Sequence, residues 1–339
     1  MILAGDVGGT NTRLALFETK RGAQRGARRG TQPGRLVMRE RAEFKNAKRR
    51  DLASIVREFL DPLPHRARVA CFGVAGPVKN GRALITNLGW TIDQRKLSKS
   101  LGIPKLALIN DLVAHAEGSN VLGPRDALTL HRGKPIKGGG RAVLAPGTGL
   151  GEAGLVFDHR TSDYRAVPSE GGHCDFAPKD QRTIALLEHM FRETGRCSWE
   201  DLVSGPGLRR IWDFLTAPGE FQIAPSHAGD SPTPAQITSA AVDGSCRACV
   251  GAVELFVELI GHAAGNLALK FLATGGVYLG GGIPPHIVKF LQQPLLRSAF
   301  TNKGPEEVHA ILRDIPIRLI TSPNNALRGA AHYAQRIAG

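Results

Sequence analysis

Twice in this 339-residue chain an apolar run stops at a glycine-rich turn and a second apolar run resumes at once. The first turn is Gly5-Asp6-Val7-Gly8-Gly9-Thr10-Asn11, ahead of Arg13-Leu14-Ala15-Leu16-Phe17; the second is Gly147-Thr148-Gly149-Leu150-Gly151, between apolar runs at 141–146 and 153–157. Paired glycines remove the Cβ atoms that keep an anion away from backbone N–H groups, and they permit positive φ values that aim successive N–H groups into one concavity. Thr10 and Asn11 add side-chain donors, and Asp6 can hold a metal ion on a bound phosphate. A plain hairpin needs a glycine or two but not the flanking Asp with Thr-Asn. Either turn alone would be weak, because such patterns are common; the duplication, one at the start of each half, points to a polyphosphate clamped between two lobes. No G-x-x-x-x-G-K-[ST] string occurs, so P-loop machinery is not indicated.

Between and beyond the turns the pattern is α/β. Asp51 can cap a helix whose apolar positions Leu52, Ile55, Val56, Phe59 and Leu60 follow helical spacing, ended by Pro62 and Pro64. Strands follow at 68–75, ending in Gly76-Pro77, and at 105–109, ending at Asn110-Asp111. Strands alternating with helices imply a mostly parallel sheet, and ligands collect beyond the carboxyl ends of such strands. Asn110 and Asp111 stand at that place. Locally, Asp111 is equally readable as the cap of the helix that starts Leu112-Val113-Ala114. The length exceeds the roughly 250 to 300 residues at which one core tends to split, so two domains are expected.

The formal charge of +14 suggests nucleic acid until it is located. Between Lys20 and Arg50 twelve Lys or Arg face only Glu40 and Glu43, so the excess is largely local. The stretch 20–30 has neither aromatics to stack on bases nor a periodic apolar face, and it reads as a solvated loop. Nucleic-acid binding is the minority reading. Five scattered cysteines in a chain of this length do not make a disulfide framework, which favours a reducing compartment. Cys246 and Cys249 have no second ligand pair and read as ordinary thiols near a helix start. No run of about 18 apolar residues is present, and Met1 leads straight into a strand pattern, so a cytoplasmic protein is expected. The run Val253, Phe256, Val257, Ile260 and Leu267 reads as a core helix of the larger lobe.

A third cluster is Pro168-Ser169-Glu170-Gly171-Gly172-His173-Cys174-Asp175-Phe176, with Trp199-Glu200-Asp201-Leu202-Val203-Ser204-Gly205-Pro206-Gly207 downstream. Glu170 and His173, brought together by a Gly-Gly bend, can bond one face of a ligand, and Glu200 can join them. Sugars call for such equipment, because each hydroxyl both donates and accepts and a mismatch leaves buried polar groups unpaired. Glu200 is also readable as a helix cap residue.

Together with Thr86-Asn87-Leu88-Gly89-Trp90 and Gly275-Gly276-Val277-Tyr278-Leu279-Gly280-Gly281-Gly282-Ile283-Pro284, these strings resemble bacterial ATP-dependent glucokinases of the hexokinase group. The resemblance implies the two-lobed actin-like ATPase (ribonuclease H-like) fold. Its expected small α/β lobe covers 1–121 plus 315–339 and its larger α+β lobe 122–314, with the basic stretch 20–50 as a loop insertion. It implies transfer of the ATP γ-phosphate to the glucose 6-hydroxyl, with Asp111 as general base and Asn87, Asn110, Glu170, His173 and Glu200 on the other hydroxyls. ATP phosphates would lie on Asp6, Gly8, Gly9, Thr10 and Asn11 and on Gly147, Thr148 and Gly149. Gly280, Gly281 and Gly282 would let adenosine approach backbone, and Mg²⁺ would sit with ATP near Asp6. Nothing like the cysteine cluster of the zinc-binding branch follows His173, so zinc is not expected, and with four residues given before Gly5 that branch's DNA-binding helices are not expected either. A homodimer is implied. The alternatives are a kinase of another hexose, one using another phosphoryl donor, and a non-catalytic sugar sensor.

Overall fold

The computed structural model describes residues 1–20, 34–224 and 231–338. Fourteen strands are described in chain order: β1 (Ile2–Val7), β2 (Asn11–Lys20), β3 (Arg35–Lys45), β4 (Val69–Val74), β5 (Val78–Lys79), β6 (Arg82–Ile85), β7 (Trp90–Asp93), β8 (Lys105–Asn110), β9 (Ala127–His131), β10 (Arg141–Pro146), β11 (Leu150–Asp158), β12 (Asp163–Ser169), β13 (Gly276–Leu279) and β14 (Ile317–Ile320). The chain divides into two compact units, one of residues 1–126, 156–168 and 322–339, the other of 127–155 and 169–321.

The first unit is built on the sheet β3-β2-β1-β4-β8. β1 pairs antiparallel with β2 and parallel with β4, which pairs parallel with β8. Strand alternation sorts β1 between two cores. Leu3 and Val7 pack with Ile55, Val56 and Phe59 of the helix Leu52–Leu60, which Asp51 caps by accepting from Ser54 N. Ile2 and Ala4 pack on the opposite face with Ala114, Leu327 and Ala330, from the helices Asp111–Gly118 and Asn325–Ala338. Those two helices meet backbone to backbone, since a Cβ at Gly329 would lie 1.8 Å from Ala114 O.

The second unit carries the sheet order β12-β11-β10-β13-β14-β9. Its core surrounds the helix Arg247–Lys270, from which Phe256, Leu259, Ile260 and Leu267 are buried against Leu144, Leu186, Trp212 and Phe300. That helix is long and apolar enough to cross a membrane by composition, but 78% of its most apolar window is buried inside the protein, as for a core helix. Cys246 caps its start, accepting from Cys249 N.

Two expectations need correction. The C-terminal boundary falls later, because β14 pairs with β13 and β9 in the second unit and only residues from Ser322 onward join the first. The first unit also takes in 122–126 and 156–168. The stretch 20–50 is not simply a loop: β2 runs on to Lys20, and Arg35–Lys45 returns beside it as an edge strand paired from Asn11↔Lys45 to Lys20↔Arg35, with a one-residue register shift between Leu16 and Phe17. Edge positions tolerate the charge density that masks the strand in sequence. Residues 21–33, most of the stretch read as a solvated loop, lie outside the described residues.

Candidate active site

The first glycine turn closes the β1–β2 hairpin between Val7 and Thr12, which are paired. Gly8 N donates to Asn11 O at 3.0 Å. The turn is pinned from outside by Asn46, which is 1% exposed. Asn46 Nδ2 donates to Gly8 O at 2.8 Å, its backbone N donates to Thr10 O at 2.8 Å, and its Oδ1 accepts from Thr12 Oγ1 at 2.7 Å. Asn87 lies on the turn as well: a Cβ at Gly9 would stand 3.2 Å from Asn87 Nδ2. Burial raises the pKa of Asp6 above the ordinary carboxylate value, more than the guanidinium of Arg13, 3.4 Å away, lowers it.

Asp111 is the first residue of the helix that follows β8 directly. The cap is Asn110, whose Oδ1 accepts from Leu112 N at 2.8 Å and Val113 N at 3.4 Å while Nδ2 donates to Gly76 O at 3.2 Å. The capping role that local sequence left open for Asp111 therefore belongs to its neighbour. Asp111 Oδ1 accepts from Leu112 N at 2.9 Å, and its carboxyl stands in the first turn of the helix, where the helix dipole favours negative charge. Gly73 on β4 lets this helix approach, since a Cβ there would meet Ala114 Cβ at 2.8 Å.

The far end of the same helix is locked. Glu117, 0% exposed, accepts from Arg336 Nη2 at 2.7 Å and bonds His332 Nδ1 at 2.9 Å, and His332 Nε2 is 3.2 Å from Asp163. Burial pushes the His332 imidazole down, but the hydrogen bonds it donates to Asp163 and Glu117 outweigh it and raise the pKa to about 9.

In the second unit, the turn 147–149 joins β10 to β11, with Gly147 N donating to Gly149 O and Gly205 N donating to Gly147 O, both at 2.8 Å. Gly205 opens the helix Gly205–Thr216, capped by Ser204, so a helix N-terminus abuts the turn. Glu200 reaches the turn from the short helix Trp199–Leu202: its Oε2 accepts from Leu150 N at 2.8 Å and would lie 2.5 Å from a Cβ at Gly149. Its Oε1 stands 3.8 Å from His173 Nδ1. Glu170 precedes the tight turn Gly171–His173 and, like His173, is exposed. Glu200 is thus adjacent both to His173 and to the second glycine turn. Gly280 N donates to Leu144 O, and Gly281, at φ +81°, has Pro146 O where a Cβ would be, 2.1 Å away. Gly282 opens onto a cavity of about 480 Å³ lined by Leu208, Pro234, Ala235, Thr238 and Ile283.

Sequence reasoning missed two residues. Asn46 lies among basic residues with no local motif, and Glu152, three positions past Gly149, is 4% exposed beneath the Glu170–His173 turn. A carboxylate in an otherwise apolar strand was the available signal.

Each unit carries a mixed sheet in which two adjacent strands are joined by a glycine hairpin turn, an architecture consistent with the two-lobed actin-like kinase fold. The family profile for glucokinase matches residues 3–337. A glucokinase of Nostoc punctiforme is 36% identical over 357 residues, spanning 99% of both chains. Among solved structures, a glucokinase from an Antarctic psychrotroph matches with a TM-score of 0.86 at 30% identity, covering 99% of this chain and 98% of that one. A ROK family glucokinase from Streptomyces griseus, in complex with glucose and AMPPNP, shares the fold at a TM-score of 0.63 and 17% identity, covering 99% of both. The chain belongs to the glucokinase family.

Proposed function

We propose that this enzyme moves the γ-phosphate of ATP to the 6-hydroxyl of glucose, giving glucose 6-phosphate and ADP, with Asp111 as general base. The observation that carries the reading is the placement of Asp111 at the carboxyl end of a parallel strand, in the first turn of a helix capped by Asn110 and locked at its far end by Glu117. Asp111 accepts the proton of the 6-hydroxyl as that oxygen bonds to the γ-phosphorus and the bond to the bridging oxygen of ADP breaks. Positioning and charge stabilisation supply most of the acceleration in such transfers, the base roughly 10² to 10⁴.

The remaining hydroxyls fall to Glu170, His173, Glu200, Asn87 and Asn110. Glu200 offers Oε1, since Oε2 is occupied by Leu150 N, and Asn110 offers the second hydrogen of Nδ2. Gly8, Gly9, Thr10 and Asn11 and Gly147, Thr148 and Gly149 take the phosphates. The cavity beside Gly280, Gly281 and Gly282, apolar on Leu208 and Ile283, suits a purine. Asp6 fits Mg²⁺: a desolvated carboxyl beside the phosphate turn gains a cation, and this ion needs few protein ligands when phosphates supply the rest. When bound, it neutralises phosphate charge. A cytoplasmic homodimer is part of the same reading.

Asp111→Asn decides the base. Turnover should fall at least about a hundredfold while calorimetry still detects glucose; undiminished turnover overturns the assignment. A coupled spectrophotometric assay over hexoses and phosphoryl donors separates glucose from other sugars and ATP from polyphosphate. Glucose binding without turnover in the wild type would make the chain a sensor.

A further inference from the structure

A second cavity of about 480 Å³ lies within the second unit, lined by His131, Arg297, Ser298, Thr301, His309 and Arg313, and none of its lining residues is acidic. It is remote from the glycine turns. His131 ends β9 and pairs with Ile317, the first residue of β14, whereas the turn 147–149 and Gly280 follow the last residues of β10 and β13, which run parallel to β14. The cavity therefore borders the opposite end of that sheet. Arg297, Ser298 and Thr301 stand on the helix Pro294–Thr301, and His309 and Arg313 on the helix Glu306–Asp314.

The cations here are poorly matched by acids. Arg297 is exposed, and among the described residues its guanidinium pairs with no carboxylate. Arg313 and His309 share Glu306: Arg313 Nη2 donates to Oε1, and His309 Nδ1 stands 3.8 Å from Oε2. The Glu306 side chain is 68% exposed, so water weakens that pairing. The nearby Asp314 is taken by Lys134 at 3.2 Å. His131 Nε2 donates to Arg313 O at 2.7 Å, which leaves Nδ1 of the neutral ring as an acceptor, and Thr301 Oγ1 donates to Arg297 O at 3.1 Å and keeps its lone pairs.

We propose that this cavity binds a small phosphomonoester, with the phosphate on Arg297, Arg313 and Ser298 and the ligand's hydroxyls on His131 Nδ1 and Thr301. Two guanidinium forks lining one hollow suit the oxygens of a dianion, and the dianion relieves the repulsion among the gathered cations. Glu306 occupies Arg313 until the phosphate replaces it. The volume is that of a small-molecule site. Nothing in this inference depends on the reading of the sugar and nucleotide sites.

The test is calorimetry on the full chain with glucose and AMPPNP in excess, titrating glycerol 3-phosphate, orthophosphate and glycerol at constant ionic strength. Glycerol 3-phosphate should bind once per chain with a Kd of about 5 mM or tighter, and glycerol should not bind. Arg297→Gln combined with Arg313→Gln should weaken binding at least about tenfold, whereas Glu306→Gln, which removes the competing carboxylate, should tighten it about threefold. Those opposite signs separate this cavity from any phosphate held at the glycine turns. No binding to the wild type, or binding that the double arginine variant leaves intact, overturns the proposal. Equal affinities for glycerol 3-phosphate and orthophosphate overturn the ester in favour of free phosphate.

Discussion

The buried group Glu117–His332–Asp163–Arg336 gives the first unit a pH dependence that can be worked out in advance. His332 is 2% exposed and lies between two carboxylates, with a pKa raised from 6.5 to about 9. At about 1.4 kcal/mol per pH unit, that corresponds to roughly 3 kcal/mol of native-state stability from the protonated ring. The folded pKa exceeds the unfolded one, so this stabilisation is fully present below pH 6.5 and is lost as pH rises toward 9. Asp163 runs the other way. Burial raises its pKa, but the hydrogen bond from His332 and the attraction of His332 lower it further, so its contribution is present above its ordinary value of 3.8 and lost in acid. The group is therefore strongest between about pH 4 and 6.5. His332→Gln keeps a donor but not the charge, and denaturant unfolding from about pH 6 to 9.5 reads the difference. The wild type should lose roughly 3 kcal/mol more than the variant across that range. If the two curves stay parallel, His332 is not charged in the native protein and the reasoning fails.

Three further outcomes follow from local geometry. Gly149→Ala places a methyl 2.5 Å from Glu200 Oε2 and should raise KM for glucose by about tenfold, measured in the coupled assay, with the fold unchanged by circular dichroism. Asn46→Ala frees Gly8 O and Thr12 Oγ1 and should cost about 1 to 3 kcal/mol in denaturant unfolding, with KM for ATP rising and KM for glucose nearly constant. Ala235→Trp fills part of the cavity next to Gly282 and should raise KM for ATP at least about fivefold while leaving glucose binding by calorimetry intact.

What was legible in sequence was local. The glycine turns, the helix capped at Asp51, the strand ending at Asn110 and the long core helix each depend on neighbours within a few residues, and each lies where its pattern placed it. The assignment of β14 was not legible, because it depends on pairing with β9, almost two hundred residues away. β3 was hidden by its own composition, since a count of cations says nothing about which faces they occupy. Asn46 and Glu152 escaped for a related reason: each matters through a contact with a turn remote in sequence, Gly8 in one case and Gly171 in the other. For Asp111 and Asn110 the pattern located the pair but not their division of labour, which depends on which side chain reaches Leu112 N and Val113 N.

The return strand Arg35–Lys45 has a bearing on how the protein survives crowding. It leaves an eleven-residue rim of backbone donors and acceptors on the first sheet, long enough to recruit a stray strand from another molecule. Along that rim Arg39 pairs with Glu18, and Glu43 is shared by Arg13 and Arg41, so any intruder would have to strip water from a picket of alternating charges. Neutralising Arg39 and Arg41 together would thin that picket and turn a well-behaved solution cloudy.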